Sequence, residues 1–178
     1  MRKLLVIIIL LIASGCSSSE DTLETPKANY SSTTISGYVT AVDDGEFLAV
    51  DHQPKYKAER EGGLIDAYWF SSKEKVEGVE VGDYVHAWGS AEFLSYPGRT
   101  GLTNIIIEEQ DEKKTDLTIK QVIQQAIGEL QSVTGERYYP PILAGIHYEQ
   151  QKDNWIVYFQ NKNKNKNESD IKIQIKDA

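Results

Sequence analysis

Apolar and polar residues alternate in short runs through the first half of the chain, and this pattern predicts β-strands. Five runs of this kind cover residues 35–42, 46–50, 65–70, 84–88 and 103–107. Asp43-Asp44-Gly45 separates the first two, and Asp-Gly between β-rich runs is a strong hairpin signal. A polar loop follows the second run, and Gly82-Asp83 forms a turn before the fourth. Five short strands within about 75 residues predict a small, closed or partly open barrel.

The pattern changes to that of a helix followed by strands in the second half. Apolar residues recur every three or four positions from Ile119 to Val133, which draws one apolar stripe along a helix. Thr118 and Gln121 have the spacing of a capping box, and Gly135 is suited to end the helix. The β-rich runs after the helix cover residues 143–148, 155–159 and 171–175. We therefore expect one helix packed on a three-stranded antiparallel sheet.

The first sixteen residues predict export and a lipid anchor. Arg2 and Lys3 precede the uncharged run LLVIIILLIA, and small residues then lead to Cys16. Ten helical residues reach about 15 Å, half of a hydrocarbon core of about 30 Å, so the run fits a signal peptide rather than a membrane span. The segment resembles a bacterial lipoprotein signal. That resemblance implies that residues 1–15 are removed and that Cys16 carries a diacylglycerol anchor.

The remaining chain divides into a tether and two folded units. Residues 16–32 are polar and contain Pro26, so their burial cannot offset the entropy cost of ordering, and a flexible tether is expected. The predicted units are 33–110, a five-stranded barrel of the oligonucleotide/oligosaccharide-binding (OB) type, and 116–178, the helix with its sheet. The fold class is thus mainly β, with an α+β C-terminal part.

Charge and composition exclude several classes of function. Of 178 residues, 19 are Lys or Arg and 27 are Asp or Glu, so the net charge is −8 and nucleic acid is an unsuitable partner. One cysteine cannot build a disulfide framework or a four-cysteine zinc site. His52, His86 and His147 lack paired metal-ligand spacing, and no nucleophile elbow or phosphate loop occurs. We expect no metal, no cofactor and no catalytic residues.

Three stretches within the predicted barrel carry a resemblance to a family. They are AYWFS at residues 67–71, VEVGDYV at 79–85 and SYPGR at 95–99. In this order they resemble the YobA-like domain of unknown function, found in secreted and lipid-anchored proteins of Gram-positive bacteria. The resemblance covers about residues 36–108 and implies a small extracytoplasmic β domain. It implies no catalytic residues.

The SYPGR stretch is the best surface candidate for binding. Its Pro-Gly pair predicts a tight turn, Tyr96 offers an aromatic face, and Arg99 is suited to bind a carboxylate or phosphate. A turn that fixes strand register is the alternative interpretation. Trp69 and Trp88 lie in predicted strands, where an outward face would suit stacking on sugar rings and an inward face would make them core. The ligand-binding candidates are therefore Tyr96, Arg99, Trp69 and Trp88.

Two functions remain open at this point. The first is a non-enzymatic protein, lipid-anchored at the extracytoplasmic face of the cell membrane, whose barrel binds a cell-wall ligand or a protein partner. The second is a protein-interaction module that acts through the C-terminal half, which has the helix-then-sheet order of small peptidase-inhibitor-like (PepSY or cystatin-like) domains. Tyr138-Tyr139-Pro140-Pro141 favours the second function. The NKNKNKN segment at residues 161–167 is interpreted as a solvated hairpin loop.

Overall fold

A computed structural model describes residues 35–52, 64–72, 76–93, 95–110, 115–134, 140–161 and 170–177. Its elements are β1 (Ile35–Asp43), β2 (Glu46–Asp51), β3 (Ala67–Ser71), β4 (Tyr84–Phe93), β5 (Gly98–Glu108), α1 (Ile119–Thr134), β6 (Leu143–Glu149), β7 (Asn154–Phe159) and β8 (Ile171–Lys176). None of the helices in these ranges has the length and apolar content needed to span a membrane. The predicted signal peptide, tether, lipid-bearing Cys16, Gly135 cap and most of the NKNKNKN loop lie outside the described residues.

The first five strands close into a barrel in the order β1-β2-β3-β5-β4. β1 pairs antiparallel with both β2 and β4, which closes the barrel, and β3 and β5 form a parallel pair. The β1–β2 hairpin turns at Gly45, whose φ of 83° is a conformation that glycine adopts without steric cost. The predicted five-stranded barrel is thus confirmed.

β4 and β5 are longer than the sequence pattern predicted. β4 continues from Trp88 to Phe93, and β5 already begins at Gly98. Glycines interrupt the alternation here because the strands approach closely. A Cβ on Gly89 would lie 2.2 Å from the Thr100 hydroxyl oxygen, and a Cβ on Gly98 would lie 2.5 Å from the Tyr68 ring. These glycines therefore belong to the strands, although glycine usually marks a turn.

The C-terminal half contains the predicted helix and sheet. Gln121 accepts from the Thr118 backbone N–H at 2.9 Å, and the Gln121 N–H donates to the Thr118 hydroxyl at 3.2 Å. This reciprocal pair is the predicted capping box. The sheet has the order β6-β7-β8, with both pairs antiparallel. The predicted helix on a three-stranded antiparallel sheet is confirmed.

The barrel and the C-terminal half share a hydrophobic core. Along β2, Phe47 and Ala49 point into the barrel, where they form one apolar cluster with residues of β1, β3 and β4. Leu48 and Val50 point outward and join a second cluster with residues of α1, β6, β7 and β8. Both faces of β2 are therefore buried, which explains why its middle residues are all apolar.

Asp177 connects the end of β8 to the start of the helix. Its carboxylate accepts hydrogen bonds from the backbone N–H groups of Asp116 and Leu117 at 2.8 and 3.0 Å, and from the indole N–H of Trp155 at 2.9 Å. Burial raises the pKa of this carboxyl, but the three hydrogen bonds to the charged form outweigh burial and hold the pKa below its ordinary value. The ionised carboxylate thus stabilises the fold.

Candidate functional site

The structure brings three of the four predicted binding residues to one side of the barrel. Arg99 faces Trp69 in the parallel β3–β5 pair, and its guanidinium carbon lies 5.9 Å from the centre of the Trp69 ring. Arg99 Nη1 also donates to the Glu46 carboxylate at 3.0 Å. The Tyr96 hydroxyl donates to Gln160 Oε1 at 2.6 Å, so its polar end is directed to the C-terminal half.

The two tryptophans do not form a joint stacking platform. Trp69 is 6% exposed and belongs to the shared core, with the Arg99 guanidinium over its ring. Trp88 is half-buried on β4, which lies on the other side of β5. Tyr96 is 39% exposed, and the Arg99 side chain is 56% exposed. A binding role for Tyr96, Arg99, Trp69 and Trp88 stays a prediction, and of these Trp69 is almost fully buried.

The sequence did not predict a cleft that opens where the barrel meets the C-terminal sheet. Its volume is about 380 Å³. The barrel contributes Tyr38, Asp51 and His52, and the C-terminal half contributes Ile119, Tyr148, Trp155 and the first four residues of β6. Concave, largely apolar sites with a few polar groups are the usual form of a binding site. We take this cleft as the candidate functional site, because both halves of the chain contribute aromatic and polar side chains to it.

Aromatic rings on both sides of the cleft hold its walls in place. On the barrel side, Tyr38 packs edge-on against Tyr84 with ring centres 5.1 Å apart, and His52 packs edge-on against Tyr84 at 5.4 Å. On the sheet side, Tyr148 and Trp155 face each other across the β6–β7 pair with ring centres 5.3 Å apart. The two pairs on the barrel side are edge-to-face, an arrangement that adds packing energy beyond area burial, and the pair on the sheet side is tilted by 50°.

One carboxylate lies on the cleft wall, and another lies beside Tyr148. Asp51 lies at the end of β2 on the cleft wall. The Tyr148 hydroxyl donates to Asp153 Oδ1 at 2.5 Å, and this hydrogen bond, together with burial and the charges of Asp153, Asp177 and Asp116, raises the pKa of Tyr148 to about 12. Tyr148 is thus uncharged at neutral pH.

A chain of polar groups runs across the barrel surface on the strands next to the cleft. Ser36 and His86 are opposite each other in the β1–β4 pair, and the Ser36 hydroxyl lies 2.9 Å from His86 Nδ1. His86 Nε2 lies 2.7 Å from the Glu108 carboxylate. His86 is only 7% exposed, so each ring nitrogen needs a partner and has one. His86 is therefore part of a Ser–His–carboxylate chain that links β1, β4 and β5.

Sequence spacing could not reveal this Ser–His–carboxylate chain, because Ser36, His86 and Glu108 are distant in sequence and meet only through strand register. The same holds for His52, whose ring nitrogen lies 3.3 Å from the Tyr84 hydroxyl. Within the part of the chain that the structure describes, no group of three or more His, Cys, Asp or Glu side chains is arranged to hold a metal ion.

The turn formed by Val81-Gly82-Asp83 joins the barrel to the helix. Gly82 has a φ of 91°, and a Cβ there would lie 2.7 Å from the backbone oxygen of Lys120. Asp83 accepts from the Glu80 backbone N–H at 2.7 Å and pairs with the Lys120 ammonium at 2.8 Å. Gln124 of α1 donates to the Val81 carbonyl at 2.9 Å. This motif therefore docks the first turns of α1, one of whose residues, Ile119, lines the cleft.

Comparison with known proteins bears on the barrel. No curated protein and no solved structure matches the chain. A family model matches the chain from the start of β1 to just beyond the end of β5, so the matched region contains the three stretches that carried the sequence resemblance. It ends before α1, and its extent agrees with the predicted extent of the resemblance, residues 36–108. Residues 36–109 match the family described as protein of unknown function (DUF3221).

Proposed function

We propose that this chain is a lipid-anchored protein at the extracytoplasmic face of the cell membrane, and that it binds a protein or cell-wall ligand in the cleft. The N-terminal sequence supports the anchor, since two cations, an apolar run of ten residues and Cys16 follow one another as in a lipoprotein signal. Two acyl chains suffice for stable membrane attachment. The three motif stretches support a barrel of the YobA type, which agrees with this location.

The cleft is the observation that carries the binding proposal. It is built from both halves, because Tyr38 and His52 come from the barrel while Tyr148 and Trp155 come from the C-terminal sheet. The cleft combines the two halves on which the two functions inferred from the sequence rest, but it is lined by none of the sequence candidates Tyr96, Arg99, Trp69 and Trp88. A binding site of this kind needs the complete fold, so removal of the C-terminal half would destroy the cleft and expose the outer face of β2 at once.

Site-specific photo-crosslinking on intact cells tests the binding proposal. A photoreactive phenylalanine derivative would replace His52, which is exposed and lies on the cleft wall. The matched control carries the same group at Val133, which is 69% exposed on α1. We expect a discrete crosslinked product at His52 and not at Val133. A protein product or a carbohydrate product identifies the class of partner, and equal products at both positions contradict the cleft as the binding site.

Lipid attachment is tested independently of binding. Cells fed a fatty-acid analogue should label the wild-type chain, and the wild type should sediment with membranes. Cys16→Ala removes the acceptor thiol, so the variant should lose both the label and the membrane association. Equal labelling of the variant would contradict the anchor while leaving the cleft proposal to its own test.

A further inference from the structure

We propose that a second surface of the barrel, distinct from the cleft, binds a neutral sugar chain. This β4 face consists of three residues of β4 and the three residues of β5 directly opposite them: Tyr84, His86, Trp88, Asn104, Ile106 and Glu108. Recognition of a sugar combines an aromatic ring, on which the apolar C–H side of the sugar stacks, with polar side chains that bond its hydroxyls. The β4 face has both kinds of group.

Strand alternation turns these side chains out of the barrel. Val85 and Ala87, which lie between them on β4, belong to the apolar cluster inside the barrel. Tyr84, His86 and Trp88 therefore share the outer side of the strand. At about 3.3 Å per residue, the distance from Tyr84 to Trp88 along β4 is about 13 Å. The face is thus longer than one sugar ring and suits a chain of sugars.

The surface that OB barrels commonly use for ligands is covered in this chain. That surface lies on strands 2 and 3. Here Leu48 of β2 and Trp69 of β3 are buried in the core that the barrel shares with the C-terminal half. In the barrel order, β1 and β5 separate β4 from both of these strands. The β4 face therefore lies away from the covered surface.

Trp88 is the stacking residue of the β4 face. It is half-buried, and among the described residues its ring pairs with no other aromatic ring and its indole N–H has no acceptor. The other two tryptophans differ in this respect. The Arg99 guanidinium lies over the Trp69 ring, and the Trp155 indole N–H donates to Asp177. Trp88 thus offers a ring and a hydrogen-bond donor to a ligand.

Asn104 and Glu108 supply further hydrogen-bonding groups. Asn104 lies directly opposite Trp88, and the Cβ atoms of such a pair are about 5 Å apart. Its amide is exposed and has no hydrogen-bond partner among the described residues. The Glu108 carboxylate lies 2.7 Å from His86 Nε2, while half of its side-chain surface stays exposed. It is therefore held in place to accept from a sugar hydroxyl, which lowers the entropy cost of binding.

The composition of the β4 face favours a neutral sugar over an acidic one. Neither lysine nor arginine is among its six residues. Carboxylates and phosphates are bound most strongly by such cations, through charge-assisted hydrogen bonds. The net charge of −8 on the whole chain also slows the approach of an anionic polymer.

NMR of the full-length chain in micelles of a detergent without a sugar headgroup tests the proposal. Each of the three tryptophan indole N–H groups gives its own signal. The probes are cellotetraose and chitotetraose, which are neutral, and tetragalacturonic acid, which is acidic. We expect a neutral probe to shift the Trp88 signal and to leave the Trp69 and Trp155 signals in place. The acidic probe should bind about tenfold or more weakly.

Variants assign the binding to the β4 face. Trp88→Ala should weaken binding about tenfold or more, since aromatic side chains dominate the energy of binding surfaces. Trp88→Phe keeps a smaller ring and should restore part of the affinity. Asn104→Ala should weaken binding roughly three- to tenfold. Tyr96→Ala is the matched control, because Tyr96 is an aromatic residue of the barrel with 39% exposure, and it should leave the affinity unchanged. Circular dichroism verifies that each variant is folded.

Several results would overturn the proposal. They are the absence of a shift with both neutral probes at millimolar concentration, equal binding of the acidic probe, and equal weakening by Trp88→Ala and Tyr96→Ala. A shift of the Trp155 signal alone would place the sugar in the cleft, which supports the proposed binding function and contradicts the β4 face. Crosslinking at His52 tests the cleft separately, so the failure of one proposal is distinguishable from the failure of the other.

Discussion

Leu130→Ala tests whether the barrel and the C-terminal half unfold as one body. Leu130 lies on α1, has no exposed surface, and belongs to the apolar cluster that also contains Leu48 and Val50 of β2. Truncation of a fully buried leucine costs about 3–4 kcal/mol, from lost transfer energy and from the cavity that remains. For a chain of this size, about 2–4 °C is lost per kcal/mol, so the midpoint of thermal unfolding should fall by roughly 6–16 °C.

Amide hydrogen exchange followed by mass spectrometry gives the decisive readout, because it reports each segment separately. If the shared core couples the halves, the most protected amides of β2 and of α1 should lose the same free energy of opening. Val133→Ala is the control on the same helix, since Val133 is 69% exposed and its truncation should change stability by less than about 0.5 kcal/mol. Loss of protection in α1 with unchanged protection in β2 would refute the reasoning and show two independently unfolding units.

Three further predictions concern stability. Asp177→Asn weakens the acceptor of the Trp155 indole N–H and should lower the free energy of unfolding by about 1–3 kcal/mol in urea at neutral pH. Because the folded pKa of Asp177 lies below its ordinary value of 3.8, the stabilisation by the ionised carboxylate is complete above pH 3.8 and is lost as the pH falls through the folded pKa. The stabilities of the variant and the wild type should therefore converge in acid. Gly82→Ala places a side chain at a positive φ and against the helix backbone, so it should lower the free energy of unfolding by about 2–3 kcal/mol. Gly78→Ala is the control, because Gly78 also has a positive φ but open space around it, and it should cost about 1 kcal/mol. Equal costs would contradict the clash at Gly82. Thr100→Val removes a buried hydroxyl that has no hydrogen-bond partner in the structure, so the free energy of unfolding should stay the same or rise by up to about 1 kcal/mol. A fall of more than about 1 kcal/mol would show that the hydroxyl is hydrogen-bonded.

Local patterns were sufficient to predict most of the fold. The capping residues Thr118 and Gln121 and the apolar stripe after them predicted α1 almost to the residue, because a helix is specified by neighbours three and four positions apart. The long strands were harder to predict. Gly89 lies inside β4 and Gly98 begins β5, because the Thr100 side chain and the Tyr68 ring occupy the space that a Cβ would need, and nothing local in the sequence shows that close approach.

The candidate site was the least predictable part. Alternation along β1 indicated that Tyr38 and Ser36 share a face, but it could not indicate what covers that face. Tyr148 lines the cleft together with Tyr38 because the two halves pack against each other. His86 contacts Ser36 because of the strand register between β1 and β4. Both partners lie far away in the sequence. The SYPGR stretch attracted attention because its chemistry is visible locally, yet its tyrosine hydroxyl is already bonded to Gln160.

The two buried faces of β2 also affect how the chain reaches its folded state. A nascent chain completes β2 at residue 51, but the residues that cover its outer face lie between positions 122 and 175. Leu48 and Val50 therefore stay exposed to water until more than half of the polypeptide has been synthesised, because the residues that bury them are not yet present. Pairings over such sequence distances form slowly, and exposed apolar strands aggregate in the interval. A chaperone or holdase that shields β2 during synthesis should raise the yield of folded protein.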